Sequence, residues 1–349
     1  MSGLSRRKYV ALALAAPAFA GKRQLGSSPM ISVQDFEQYP ALITPVQDFF
    51  VRNHFDVPAL ETATWVLPCG GSVKRQRTFS LADLKAFPRH EVTCVFECAG
   101  NGVGVGAVGC VHWAGVRLSD VLNACGIGGG SRFVRVTGAD RGREPDAPEV
   151  QYARSLAVAE AMRPDNLLAL EMQGRPLGAE HGAPVRLVAP GRYGMDSVKW
   201  IERIEVLDGP DDSFFMANRF RRVSGGRVGE PVGRIAVKSN IVQPVADAVL
   251  RGDLPAAGGY AWAGADPVVR VEVRLDRGSW MPAELIWRRS ELAWMPWRFP
   301  IRRLTPGAHT IEARAATRAG QVQPDDRDAG REDSYELNQV QRVHFFWRP

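Results

Sequence analysis

The stretch Val92-Thr-Cys-Val-Phe-Glu-Cys-Ala-Gly-Asn-Gly102 runs an apolar strand into a glycine-rich loop and delivers one cysteine, Cys98, at the junction. Val92, Cys94, Phe96 and Cys98 alternate with Glu91, Thr93, Val95 and Glu97, so the two-residue period of a strand puts the first set on one face and carries Cys98 to the strand's end. A thiol placed there is available to a soft or borderline metal, and the following glycines let backbone and a bulky ligand approach closely. On these residues alone, the competing reading is a small buried cysteine before a turn.

The chain of 349 residues exceeds what one hydrophobic core usually serves, which predicts two domains. No segment is apolar for long enough to span a bilayer. The formal charge of +6 comes from dispersed Lys and Arg, which argues against a nucleic-acid tract and fits attraction of anions or an acidic partner. Five cysteines, at 69, 94, 98, 110 and 125, are odd in number and crowded into one third of the chain, unlike a disulfide framework. Residues 1–30 read as an export signal: Arg6-Arg7-Lys8 is a charged start, Val10 to Ala16 a short apolar run, and Ala18-Phe19-Ala20 an A-x-A cleavage site. The paired arginines resemble a twin-arginine signal, which predicts a periplasmic protein.

Over residues 31–220 short strand-like and helix-like runs alternate, an α+β pattern. Ser80-Leu-Ala-Asp-Leu-Lys85 and Arg117 to Ala124 read as helices capped by Ser80 and Ser119, the second closed by glycines; Ser155 to Met162 reads as a further helix. Residues 221–233, with Pro231, read as a connection between domains. Over 234–349 the pattern is all strand: Val269, Val271, Val273 and Leu275 alternate with polar residues, as do Val343, Phe345 and Trp347, which predicts a β-sandwich of immunoglobulin type. The tryptophans near 287–297 read as sandwich core and interface rather than a platform for bases.

Several separated motifs then occur in a fixed order: Phe50-Val-Arg-Asn-His-Phe-Asp-Val-Pro58, Glu97-Cys-Ala-Gly-Asn101, His112-Trp-Ala-Gly-Val-Arg-Leu118, His181-Gly-Ala-Pro-Val-Arg186 and Ser197-Val-Lys-Trp200. Together they resemble the sulfite oxidase family of molybdenum enzymes, from about Phe49 to the C-terminus. The resemblance implies a molybdopterin-binding α+β domain followed by an immunoglobulin-like domain that commonly makes a homodimer. It implies that Cys98 ligates molybdenum through its thiolate, beside two sulfurs of the pterin. It places Arg52 on an anionic, sulfur-containing small substrate, Asn53 and His54 next to it on the pterin side, and Asp140, His181, Arg186 and Lys199 on pterin ring or phosphate. The chain has no haem motif, so electrons are expected to pass to a separate carrier such as a c-type cytochrome.

Two departures bear on substrate. Eukaryotic members follow the Cys-Ala-Gly-Asn motif with two arginines and carry an active-site tyrosine after the V-K-W strand. Here Gly102 and Val103 follow that motif, and Asn218-Arg-Phe220 stands where the tyrosine is expected. Tyr193, in Pro190-Gly-Arg-Tyr-Gly194, is the candidate replacement. Gly104-Val-Gly-Ala-Val-Gly109 satisfies a dinucleotide fingerprint, but Cys110 to Gly115 reads as strand and turn, with no acidic residue about twenty positions on. Cys94 with His112 lacks the paired C-x-x-C spacing of a zinc site. The alternatives to an oxidase are an S-oxide reductase on the same scaffold and a non-catalytic periplasmic binding protein.

Overall fold

The computed structural model describes residues 43–349 apart from 105, 253–255 and 265; the export signal lies outside them. The N-terminal domain is built from two sheets. One runs in the order Arg77–Ser80, Val66–Gly71, Ile201–Leu207, Phe133–Glu144, Ala147–Ala157. The other runs Arg89–Glu97, Val108–Arg117, Leu167–Met172, Arg175–Pro176, with Arg186–Val188 also paired to the third of these. The domain is mostly β, because its described α-helices span only four to eight residues. Leu67, Leu84, Leu118, Val136, Ile204 and Phe215 are among the fully buried side chains of its main core.

The helix Leu81–Lys85 begins as predicted: Ser80 Oγ accepts from the Asp83 N–H, and the Asp83 carboxylate accepts from the Ser80 N–H at 2.8 Å. The next helix, Leu118–Cys125, differs in its start. Arg117 holds the N-cap position without a side-chain bond, and Ser119 lies inside the first turn, 8% exposed. Gly126 closes that helix at φ +72°, where a side chain is strained. The helix expected over Ser155–Met162 shrinks to Val158–Ala161, because Ser155 and Leu156 are claimed by ladder pairing to Arg135 and Val134. The predicted connection at 221–233 is a hairpin, Arg221–Ser224 against Arg227–Pro231. Gly225 and Gly226 turn it, both at positive φ, as a two-residue turn requires.

The C-terminal domain is a sandwich. Its first sheet runs Lys238–Gln243, Ala256–Trp262, Met295–Pro300, Glu284–Leu285; its second runs Ala248–Arg251, Gln341–Arg348, Gly307–Thr317, Val268–Leu275, Met281–Pro282. One core joins them, with Ala257 and Trp297 from the first sheet meeting Val273, Ile311 and Phe345 from the second. Val343, Phe345 and Trp347 point inward as their alternation predicts. Val269 does not: a register shift between Val268 and Arg270 turns it out, 44% exposed. Trp294 and Trp297 are buried, whereas Trp287 is 52% exposed.

The strand Arg89–Glu97 keeps its two faces, and both are covered. Val92, Cys94 and Phe96 enter a cluster with Phe49, Val111 and Trp113. Val95 faces the other way, into a cluster shared with Trp262 and Trp294 of the C-terminal domain. That domain also covers the strand's edge, since Val95 N–H donates to Leu292 O at 2.9 Å and Ser290 Oγ to Thr93 O at 2.6 Å. Glu97, at the end of this second face, is fully buried. Its Oε1 accepts from Lys238 Nζ at 2.5 Å and Asn101 Nδ2 at 3.0 Å, and its Oε2 from Trp262 Nε1 at 2.7 Å. Lys238 is 1% exposed. Removing one member of such a pair strands the other charge, at a cost of about 3–5 kcal/mol. Lys238→Met should therefore lower unfolding stability by about this amount in denaturant titrations, and adding Glu97→Gln should restore part of it; a single variant as stable as the parent would show that the pair does not hold the domains.

Candidate active site

Cys98 follows the strand directly and is partly buried, whereas Cys69, Cys94, Cys110 and Cys125 are buried; all five are free thiols. Cys98 N–H donates to Ala107 O at 3.0 Å and its carbonyl accepts from Asn101 N–H at 2.8 Å, so the loop folds back tightly. Asn101 Oδ1 also accepts from Ala107 N–H at 3.0 Å. Burial pushes the Cys98 thiol up, while the Gly100 N–H and the charges of Arg52 and Lys238 pull it down. Such a thiol becomes a thiolate most readily when a metal takes it. Cys94 lies on the strand face opposite Thr93, whose hydroxyl meets His112 Nδ1 at 3.1 Å, so Cys94 and His112 do not converge. Among the described residues no group of three or more His, Cys, Asp or Glu gathers as a metal site. A single protein thiol suits a metal whose other ligands come with its cofactor.

Arg52, Asn53 and His54 lie on an extended segment beside this loop. Arg52 is exposed, and its charge reaches both Cys98 and His54. His54 is half-buried against Phe215, ring centroids 4.4 Å apart, and its Nε2 meets Glu144 Oε1 at 3.0 Å. Burial outweighs that carboxylate and lowers the imidazole to about 4, so His54 is neutral at pH 7. Arg219 holds the same carboxylate at 2.7 Å and Asp146 at 2.8 Å. Sequence reasoning passed over Glu144 and Arg219, which carry no motif.

Asn53 joins a second group. Lys199 Nζ donates to Asn53 Oδ1 and, at 2.9 Å, to Glu180 O, and lies 4.3 Å from the centre of the Trp200 ring. Burial, with Arg186 adding repulsion, lowers the Lys199 ammonium to about 7. Asp140 is 4% exposed and burial raises its carboxyl to about 6; its Oδ1 is buried without a partner among the described residues. His181 is half-buried and lowered to about 4, first by burial and then by Arg186 and Lys199. Gly182, at φ +102°, lets the segment turn here, since a Cβ would meet Arg186 Cβ and Lys199 Cβ at 3.0 Å.

Two of the expected site residues are deeply buried. Arg186 is buried between aromatic rings, 4.8 Å from the centre of Trp113 and 5.2 Å from that of Phe96, and its Nη1, Nη2 and Nε donate to the carbonyls of His181, Ser197 and Leu187. With three of its five N–H donors on these carbonyls, it braces the His181 turn. Tyr193 is 1% exposed in the cluster between domains, and its hydroxyl accepts from Ala236 N–H at 3.3 Å. Its phenol therefore does not open toward Cys98. Among the described residues no helix starts at the glycines before Gly109, which lies in the strand Val108–Arg117.

A strand-end thiol within electrostatic reach of an arginine, together with a buried carboxylate oxygen unpartnered among the described residues and a partly charged lysine, is a donor set that suits an anionic metal cofactor. Residues 54–215 match the family model of the oxidoreductase molybdopterin binding domain, and residues 230–331 that of the Mo-co oxidoreductase dimerisation domain. The sulfite oxidase of Gallus gallus is 32% identical over 81% of this chain and 68% of its own length. The mitochondrial sulfite oxidase of Homo sapiens is 33% identical over 81% of this chain and 57% of its own. Among solved structures, the sulfane dehydrogenase SoxCD of Paracoccus pantotrophus superposes with a TM-score of 0.80 at 25% identity, covering 97% of this chain and 90% of that one. The chain belongs to the sulfite oxidase family and is a molybdenum-cofactor oxidoreductase.

The Lys199 group makes a prediction for cofactor-free protein. Sulfate keeps its charge between pH 6.5 and 8, whereas Lys199, at about 7, is largely charged at the lower value and neutral at the upper. His181, at about 4, is neutral throughout, and Asp140, at about 6, gains negative charge upward, weakening the anion site in the same direction. Sulfate should therefore raise the melting temperature more at pH 6.5 than at pH 8, and Lys199→Met should flatten that difference; the same pH slope in the variant would remove Lys199 from the anion site.

Proposed function

We propose that the protein moves an oxygen atom between water and the sulfur of a small sulfur compound, passing an electron pair to a separate carrier such as a c-type cytochrome. The observation that supports this reading most is Cys98, the partly buried thiol set at a strand end within reach of Arg52 while the other four cysteines are sealed in the cores. When bound, the molybdenum cofactor supplies two-electron, oxygen-transferring chemistry. The chain supplies the rest. Cys98 offers a thiolate to the metal. Arg52 offers a planar fork to substrate oxygens. Neutral His54, steadied by Glu144, and the unpartnered Asp140 Oδ1 offer polar contacts to the pterin, while Asn53, His181 and Lys199 face its phosphate.

Val103 and Phe220 leave the anion pocket with one arginine, Arg52, where the resemblance implies more charge. We infer that sulfite is a weak substrate and that a larger or less charged sulfur compound is preferred, in keeping with the likeness to a sulfane dehydrogenase. Dye-linked steady-state kinetics tests both levels. Cys98→Ser should lose turnover in a folded protein, Cys94→Ser should keep it, and Val103→Arg should improve sulfite kcat/KM about tenfold or more. A low-micromolar sulfite KM with rapid turnover would refute the substrate inference, and electron uptake driven by sulfoxides would reverse the direction.

The C-terminal sandwich is assigned to the immunoglobulin type and to pairing of two copies, a reading supported by the dimerisation-domain match. We also assign the protein to the periplasm through the arginine pair at 6 and 7. Replacing Arg6 and Arg7 together by lysines should hold cofactor-loaded precursor in the cytoplasm, because a twin-arginine receptor reads the pair and not its charge. Unchanged export in cell fractionation would disprove it.

A further inference from the structure

The segment Asp333 to Glu336 of the C-terminal domain rests on the Cys98 loop. Glu336 N–H donates to Ala99 O at 2.9 Å, and Ser334 O lies 3.8 Å from where a Cβ on Gly100 would stand. The segment is held from several sides: Arg222 grips the Glu336 carboxylate at 2.7 and 2.8 Å, Arg331 meets it at 3.1 Å, and Tyr335 N–H donates to Asp333 Oδ1 at 3.0 Å. The backbone on either side of Tyr335 is therefore fixed against the loop that carries the thiol. Its ring packs on Phe220, centroids 5.5 Å apart, and Phe220 in turn lies 5.8 Å from the His54 ring. Phe220 adopts φ +51°, a costly conformation for a bulky side chain, of the kind that collects at functional sites.

Tyrosines near Cys98 differ in what their hydroxyls do. Tyr152 is 8% exposed and donates to Met195 O at 2.8 Å; Tyr193 is sealed between the domains. Tyr335 is only half-buried, and its hydroxyl donates to no acceptor among the described residues, which leaves its hydrogen to give. The Cys98 sulfur and the Arg219 guanidinium both lie within electrostatic reach of this phenol.

We propose that Tyr335, contributed by the C-terminal domain, lines the substrate position beside Cys98 and donates its phenolic hydrogen to an oxygen of the bound sulfur compound. It is a specificity-determining residue that deepens the oxo-transfer reading and rests on it. A phenol whose ring packs on Phe220 and whose backbone is tied to Asp333 is preorganised for this contact, and losing one hydrogen bond to a charged oxygen weakens binding about tenfold or more.

The test uses purified holoenzyme with Tyr335→Phe, and Tyr152→Phe as a control that removes a phenol of the same neighbourhood. Calorimetric titration with sulfate, an unreactive oxyanion, should show about tenfold weaker binding in Tyr335→Phe and parental affinity in Tyr152→Phe. With a sulfur substrate that the parent oxidises, Tyr335→Phe should raise KM about tenfold while kcat changes less and molybdenum content stays at the parental level. Parental KM and sulfate affinity in Tyr335→Phe would overturn the proposal, as would an equal loss in both variants. If the parent oxidises no sulfur compound, the oxo-transfer reading fails, and sulfate binding alone then decides whether Tyr335 faces the pocket.

Discussion

The carboxylate of Glu97 sits one residue before the thiol and is fully buried, and every hydrogen bond it accepts comes from a side chain that fixes something else. Asn101 Nδ2 ties it to the far side of the Cys98 loop, while Lys238 and Trp262 tie it to the other domain. An ion pair sealed from water contributes little net stability, because desolvation offsets most of the Coulomb attraction. What it contributes is discrimination. Any shift of the strand end or of the C-terminal sheet breaks contacts that water cannot replace, so few alternative arrangements of the loop compete with this one.

Around that anchor the polar groups fall into two neighbourhoods joined by the consecutive residues Arg52, Asn53 and His54. On one side lie the thiol, the exposed arginine and a neutral imidazole, with the arginine's charge felt by both of the others. On the other, Lys199, His181 and Asp140 are each held away from their ordinary charge by burial, the condition of groups arranged around a ligand that carries the opposite charge. Arg186 supports both from below through backbone carbonyls, and its contribution is the shape of the turn.

Much of this was legible in residue order. The alternation from Val92 to Cys98 predicted a two-faced strand with the thiol at its end, and Ser80 announced a helix start, because both signals are local. The burial of Tyr193 and Arg186 was not legible, because a motif shows that a side chain is near a site and not which way it points. Gly225-Gly226 signals a tight hairpin in physical terms, yet beside Pro231 it reads equally as a linker. Lys238 and Tyr335 gave no sign at all: one is a lysine at the start of a strand without alternation, the other a lone aromatic in a charged loop. Each acquires its role from a contact more than a hundred residues away in sequence, Lys238 with Glu97 and Tyr335 with Phe220.

Those distant contacts set an order of assembly. Cys98, Arg52, Asp140, His181 and Lys199 all emerge from the ribosome before residue 200, but the side chains that grip Glu97 come at 238 and 262, and the backbone that caps Ala99 comes at 336. A nascent chain stopped between the domains would hold every residue assigned to metal and pterin and still lack the clamp that shapes the thiol loop. Completion of the pocket therefore waits for the C-terminal sheets, and a product truncated between the domains differs from one that carries both at the loop of the thiol.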